Sequence, residues 1–158
     1  MSANLASILL DSASRRAEAT ALRLDDVEVS YATLDGASAH VAGLLKARGV
    51  EPGDRVGVML PNVPYFAVCY YGILRAGAIV VPMNVLLKGR EVAFYCSDPE
   101  SKIVFAWHEF ADAAEAGAEQ AGTECILVKP GEFEALVGEA APDTEVADRA
   151  DDDTAVIL

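Results

Sequence analysis

Matched cysteines are missing from this 158-residue chain: Cys69, Cys96 and Cys125 are odd in number and widely spaced. Disulfide frameworks need partners and zinc sites need close ligand pairs, so buried free thiols in a reducing, cytoplasmic setting are expected instead. Basic residues are also scarce, 12 against 25 acids, for a net charge of −13. Binding nucleic acid requires clustered Lys and Arg to neutralise phosphates, so a nucleic-acid surface is disfavoured. The deficit is local. Residues 1–108 carry ten bases and eleven acids, whereas residues 109–158 carry only Lys129 and Arg149 against fourteen acids, a surface that favours solubility. The first residues hold a short, largely apolar run, Leu5 to Leu10, with no basic stretch before it, which does not fit a secretory signal. Val56 to Leu74 is uncharged over 19 residues, close to the roughly 20 that a spanning helix needs. Pro61, Asn62 and Pro64 interrupt it, so no transmembrane segment is expected.

Catalytic signatures are equally sparse. There are two histidines: His40 falls within a helical pattern, and His108 follows Trp107 at a strand end. Neither sits in a nucleophile motif such as Gly-x-Ser-x-Gly or shares metal-ligand spacing, so packing or surface roles are expected for both. No Gly-x-Gly-x-x-Gly follows a strand and no Walker-type loop is present, which removes the usual backbone cradle for phosphates. Asp151, Asp152 and Asp153 point in different directions as neighbours in sequence, so a solvated run is expected rather than a hard-metal site. Neither catalytic nor metal-ligating residues are assigned.

What is present is a core. Apolar residues make up 53% of the chain and charged ones 23%, enough apolar surface to offset the conformational entropy of one domain. Leu5, Ile8 and Leu9 share one face of an entry helix, Ala3 to Arg16, with Ser2 or Asn4 as its cap. A short hairpin is expected from Ala21–Leu24 and Val27–Ser30 around Asp25-Asp26. Ser30 caps a helix, Tyr31 to Arg48, weakened slightly by Gly36 and closed by Gly49. Glu51-Pro52-Gly53-Asp54 is a tight turn, because Pro presets φ and Gly accepts a positive φ. It leads into Val56–Leu60, whose continuous apolar run suits a strand buried on both faces.

Asn62 is expected to cap the helix Pro64–Arg75, ended by Gly77, and Pro82 to stop a strand over Ala78–Val81. Further helices are expected over Gly89–Ser97, Ala111–Ala121 and Gly131–Gly138, and strands over Lys102–Ala106, Cys125–Val128 and Ala155–Leu158. This alternation predicts an α/β fold, a mainly parallel sheet flanked by helices. Residues 1–139 form the α/β subdomain, and residues 140–158 an acidic linker leading into the last strand. Arg55 is expected at the surface. Tyr65, Phe66, Tyr70 and Tyr71 lie at helical spacings suited to packing.

Four segments in register carry a resemblance: Tyr31-Ala32-Thr33-Leu34; Gly53-Asp54-Arg55-Val56; Leu60-Pro61-Asn62; and Leu74-Arg75-Ala76-Gly77-Ala78 running into Val81-Pro82-Met83-Asn84. Their order resembles the opening region of AMP-forming acyl-CoA synthetases in the adenylate-forming superfamily. The last eight residues, Asp151 to Leu158, are similar to the segment just before that family's Ser/Thr/Gly-rich phosphate loop. The resemblance implies a parent enzyme using ATP, magnesium and CoA on a carboxylic acid of the fatty-acid class, through an acyl-adenylate. It implies part of a large N-terminal domain, and a 158-residue piece inactive by itself.

Relatives place Arg two positions after the residue matching Asn84, where this chain has Leu86; Lys88 or Arg90 would then meet the CoA phosphates. Uncovered strand edges would favour self-association or a homodimer. A standalone α/β binding module without catalysis is the alternative, and a flavodoxin-like nucleotide binder a third.

Overall fold

The computed structural model describes residues 4–158, so Ser2 and Ala3, named above as a cap and a helix start, lie outside the described residues. The elements run α1 (Ala6–Arg16), β1 (Thr20–Leu24), β2 (Val27–Ser30), α2 (Tyr31–Ala47), β3 (Arg55–Met59), α3 (Pro64–Arg75), β4 (Ile79–Pro82), α4 (Gly89–Ser97), β5 (Ser101–Trp107), α5 (Ala111–Ala121), β6 (Glu124–Val128) and α6 (Glu132–Gly138). A 3₁₀ turn, His108–Phe110, joins β5 to α5.

Local chemistry explains most boundaries. Ser30 accepts the Thr33 N–H at 3.2 Å and caps α2. Asn4 accepts the Ala6 N–H at 2.9 Å but stands one residue before the cap position of α1, which Leu5 holds without a side-chain bond. Gly122, at φ 71°, closes α5 in the left-handed region that glycine enters without a Cβ clash. Asn62 does not cap α3. That position belongs to Val63, which makes no side-chain bond, and Pro64 opens the helix because its missing N–H would have had no partner there. Pro82 does not stop β4 but is its last residue, opposite Val58. Met83 N donates to Val58 O at 2.8 Å, so by alternation the missing N–H of Pro82 falls on the side away from β3.

Strands β3 to β6 form one parallel sheet in the order β4-β3-β5-β6, while β1 and β2 make a separate antiparallel hairpin. Alternate strand residues feed two cores. Val56, Val58, Val80, Ile103, Phe105 and Val128 pack with Val41, Leu45, Cys69, Ile73 and Phe133, which belong to α2, α3 and α6. Met59, Val81, Val104 and Ala106 pack on the other face with Val92 and Cys96 of α4 and Ala114 and Ala118 of α5. Helices therefore cover both faces, which is why these strands read as continuous apolar runs. The expected strand at Ala155–Leu158 is reduced to a single parallel bridge, Val156 to Val80, because β4 offers only its short outer edge there.

Among the described residues no helix is long and apolar enough to cross a membrane. The uncharged stretch from Val56 is divided between β3 and α3. All three cysteines are free thiols, Cys69 and Cys96 buried and Cys125 half-buried. Burial raises each thiol above its ordinary value, Cys125 to about 11 with help from the Glu115 charge, so none is a ready nucleophile.

Candidate functional site at the carboxyl edge of the sheet

In an open parallel sheet every crossover helix starts where a strand ends, so the helix N-termini gather at the carboxyl edge. Here α3, α4, α5 and α6 all begin on that edge, directing their partial positive ends towards it. The connection that leaves β3 runs to β4 on one side, and the one that leaves β5 runs to β6 on the other. The gap between the carboxyl ends of β3 and β5 is thus the topological switch point, where ligands bind in folds of this type. Two loops border it: Leu60 to Val63 after β3, and His108–Phe110 after β5.

Aromatic and acidic groups line the β5 and β6 side. Trp107 donates from Nε1 to Glu109 at 3.0 Å, and its ring stands 4.7 Å from that of His108. Tyr65, one residue into α3, lies 5.9 Å from Trp107, ring centre to ring centre. Its hydroxyl donates to the Glu134 carboxylate. Burial, and then that carboxylate, push Tyr65 up to about 12, so it stays protonated. Burial alone would raise Glu134, but the Tyr65 hydroxyl and the Gly131 N–H, at 2.6 Å, outweigh it and hold the carboxyl below its ordinary value. Both groups are committed to one another, which leaves neither as a free acid or base.

On the β4 side, residues Met83 to Lys88 form the loop into α4. Lys88 and Arg90, singled out in the sequence, lie at that helix start, and both are exposed. Glu91 accepts the Lys88 N–H at 2.7 Å and fixes the turn, leaving the two cationic side chains to project near the helix N-terminus. Anions are favoured at such a place. Asn84 folds back to accept the Leu86 N–H at 2.9 Å.

His40 does not reach this edge; it sits in α2 with a buried Nδ1 that has no hydrogen-bond partner. Tyr65, Phe66 and Tyr70 pack half-buried against the larger core, and Tyr70 stands edge-on to Tyr71 at 6.2 Å. Arg55 is no simple surface residue. It is three-quarters covered, donates to Pro99 O and Gly53 O, and pairs with Glu100 at 3.2 Å, since the turn before β3 is wedged against the start of β5.

Arg75 was overlooked as well. It is 2% exposed at the end of α3 and forms an ion pair with Asp35. Its signal was a cation inside an apolar helix, just before a glycine stop. Among the described residues no group of three or more His, Cys, Asp or Glu is placed to hold a metal.

The family model described as AMP-binding enzyme matches residues 9–158. A long-chain-fatty-acid–CoA ligase of Mycobacterium tuberculosis is 32% identical over 136 residues, covering 84% of this chain and 27% of the relative. A long-chain-fatty-acid–CoA ligase of Bacillus subtilis is 36% identical over 100 residues, covering 63% of this chain and 18% of the relative. Among solved structures, a benzoate CoA ligase from Burkholderia xenovorans superposes with a TM-score of 0.91 at 27% identity, over 98% of this chain and 32% of that one. The chain therefore spans less than a third of the length of the curated relatives it matches, 27% and 18% of these two.

Proposed function

This chain belongs to the AMP-binding enzyme family and corresponds to the N-terminal portion of acyl-CoA ligases, and from that premise we propose that its parent protein is an ATP-dependent, AMP-forming ligase joining a fatty or related carboxylic acid to CoA. The observation that carries the proposal is the family match along residues 9–158, joined to a fold that superposes almost whole on about a third of a CoA ligase. The chemistry needs more than this portion offers. A carboxylate resists attack; its oxygen bonds to the α-phosphorus of ATP as the α–β bond breaks and pyrophosphate leaves, giving a mixed anhydride from which the CoA thiol then displaces AMP. In this proposal the 158 residues alone are inactive, and the cytoplasm, where ATP and CoA are available, is the setting of the parent enzyme.

The test is ATP–pyrophosphate exchange with a panel of carboxylates, on a chain extended through the downstream region. Exchange with at least one acid is expected; none with any acid would reject the proposal.

Lys88 and Arg90 are the CoA-phosphate contacts in this scheme. Their exposure and their place at the start of α4 support the assignment, because a phosphate there meets two cations and the positive end of a helix. Changing both to Ala in the extended enzyme is expected to raise the KM for CoA about tenfold, as two exposed charge contacts allow. Pyrophosphate exchange, which precedes CoA, should not change. An unaltered CoA KM would remove both residues from the site.

Self-association belongs to the same scheme. Leu86, Phe94 and Tyr95 are 69%, 61% and 39% exposed, and β6 is the outer strand of its sheet. Sedimentation of the 158-residue chain should show dimers or larger species at high concentration, and a clean monomer would count against it.

A further inference from the structure

The segment from Asp143 to Ile157 is acidic and without periodicity, yet it lies against the body of the protein along a defined path. Asp143 N donates to Ala39 O of α2 at 2.9 Å, and Ala147 N to Arg75 O at the end of α3, also at 2.9 Å. Further along, Val80 N donates to Ala155 O and Ile157 N to Val80 O, each at 2.9 Å, on the outer edge of β4. At the centre of this path the Arg75 guanidinium is withdrawn from water, pairs with Asp35 of α2, and donates from Nη1 to Thr144 O at 3.0 Å. Asn4 adds a second tie, donating from Nδ2 to Leu74 O at 2.6 Å and to Ala147 O at 2.9 Å.

We infer that Arg75 is a positioning residue: it latches residues 143–147 onto α2 and α3, and thereby sets the course by which the chain reaches Leu158. The inference rests on the function proposed above for its catalytic consequence, but not for its structural one. Taking a guanidinium out of water is costly, and the cost is offset here by one carboxylate and one carbonyl presented by two separate parts of the chain. A planar fork can serve both at once; an ammonium on a flexible stem serves them poorly. The bridge of Val156 to Val80 is parallel, so the chain at Leu158 heads towards the carboxyl edge, the same edge that carries Lys88 and Arg90. In the proposed enzyme the residues that follow hold the ATP phosphates. Loosening the latch would let that loop wander, and the affinity for ATP would fall before anything else.

Hydrogen exchange on the 158-residue chain tests the latch directly. In R75Q the amides of Ala147 and Ile157 should exchange at least about tenfold faster, while those of β3 and β5 keep their protection and R75K falls between. Unchanged exchange at Ala147 and Ile157 would overturn the inference. Should R75Q lose protection in β3 and β5 as well, D35N decides: faster exchange confined to residues 143–157 supports the latch, and none overturns it. In the extended enzyme, R75Q should raise the KM for ATP in pyrophosphate exchange about tenfold, with R75K intermediate and kcat and the CoA KM little changed. An active wild type with an unchanged ATP KM in R75Q would overturn the positioning role. A wild type inactive with every carboxylate would instead overturn the proposed function and leave the exchange result standing.

Discussion

Replacing Phe105 with Ala is expected to lower the unfolding free energy by about 4 kcal/mol, the usual cost of emptying a fully buried aromatic position. Against a total of about 5–15 kcal/mol for a domain of this size, that is close to the limit of what the fold can lose. Phe105 is fully buried in β5 and meets Phe133 edge-on at 5.9 Å. Phe133 meets Tyr65 edge-on at 6.0 Å, and Tyr65 meets Trp107 at 5.9 Å. A continuous series of rings thus leads from the core to the switch point. Removing its innermost member should loosen the carboxyl edge as well as the core, visible as a lower urea midpoint and increased exposure of the Trp107 fluorescence. A loss below about 1 kcal/mol would mean that the ring does not fill the space assigned to it.

Two glycines, Gly117 and Gly36, should respond to alanine with opposite signs. Both lie inside helices, where Ala gains about 1 kcal/mol over Gly from propensity alone. At Gly117 of α5 a Cβ would come within 2.5 Å of Val92 Cβ and 2.6 Å of Gly89 O, the point where α5 crosses α4. Neither a β-branched stem nor a backbone carbonyl can give way, so overpacking of about 1–3 kcal/mol or more outweighs the propensity gain and G117A should destabilise. At Gly36 of α2 a Cβ meets nothing within 4 Å, so G36A should stabilise by about 0.5–1 kcal/mol. Parallel urea melts settle both signs. Stabilisation by G117A would contradict the close crossing of α4 and α5.

The sequence made the repeating architecture legible because burial on both faces writes a strong pattern. The runs at Val56, Ile79 and Ile103 are strands covered by helices on either side, and α3, α4 and α5 occupy the spans expected of them, α3 with the glycine stop at Gly77. The resemblance carried by the Leu74 to Asn84 region agreed with the family found. Details set by distant contacts were not legible. Asn62 lost the capping role to Val63, and Pro82 stayed in its strand because an edge position spares its missing N–H. Arg75 looked like one more motif residue. Its burial depends on Asp35 and Thr144, 40 and 69 positions away, which no local pattern announces. The candidate site was legible only as a pair of cations. The ring series at the switch point needs the strand order, and strand order is a property of the whole sheet.

In the proposed enzyme the machinery for ATP lies outside these 158 residues. Titrating the purified chain with magnesium-ATP in a calorimeter tests this most directly. No saturable heat is expected up to millimolar nucleotide, while the chain extended downstream binds and exchanges pyrophosphate. Saturable binding by the 158 residues alone at micromolar nucleotide, or hydrolysis of ATP by them, would contradict it.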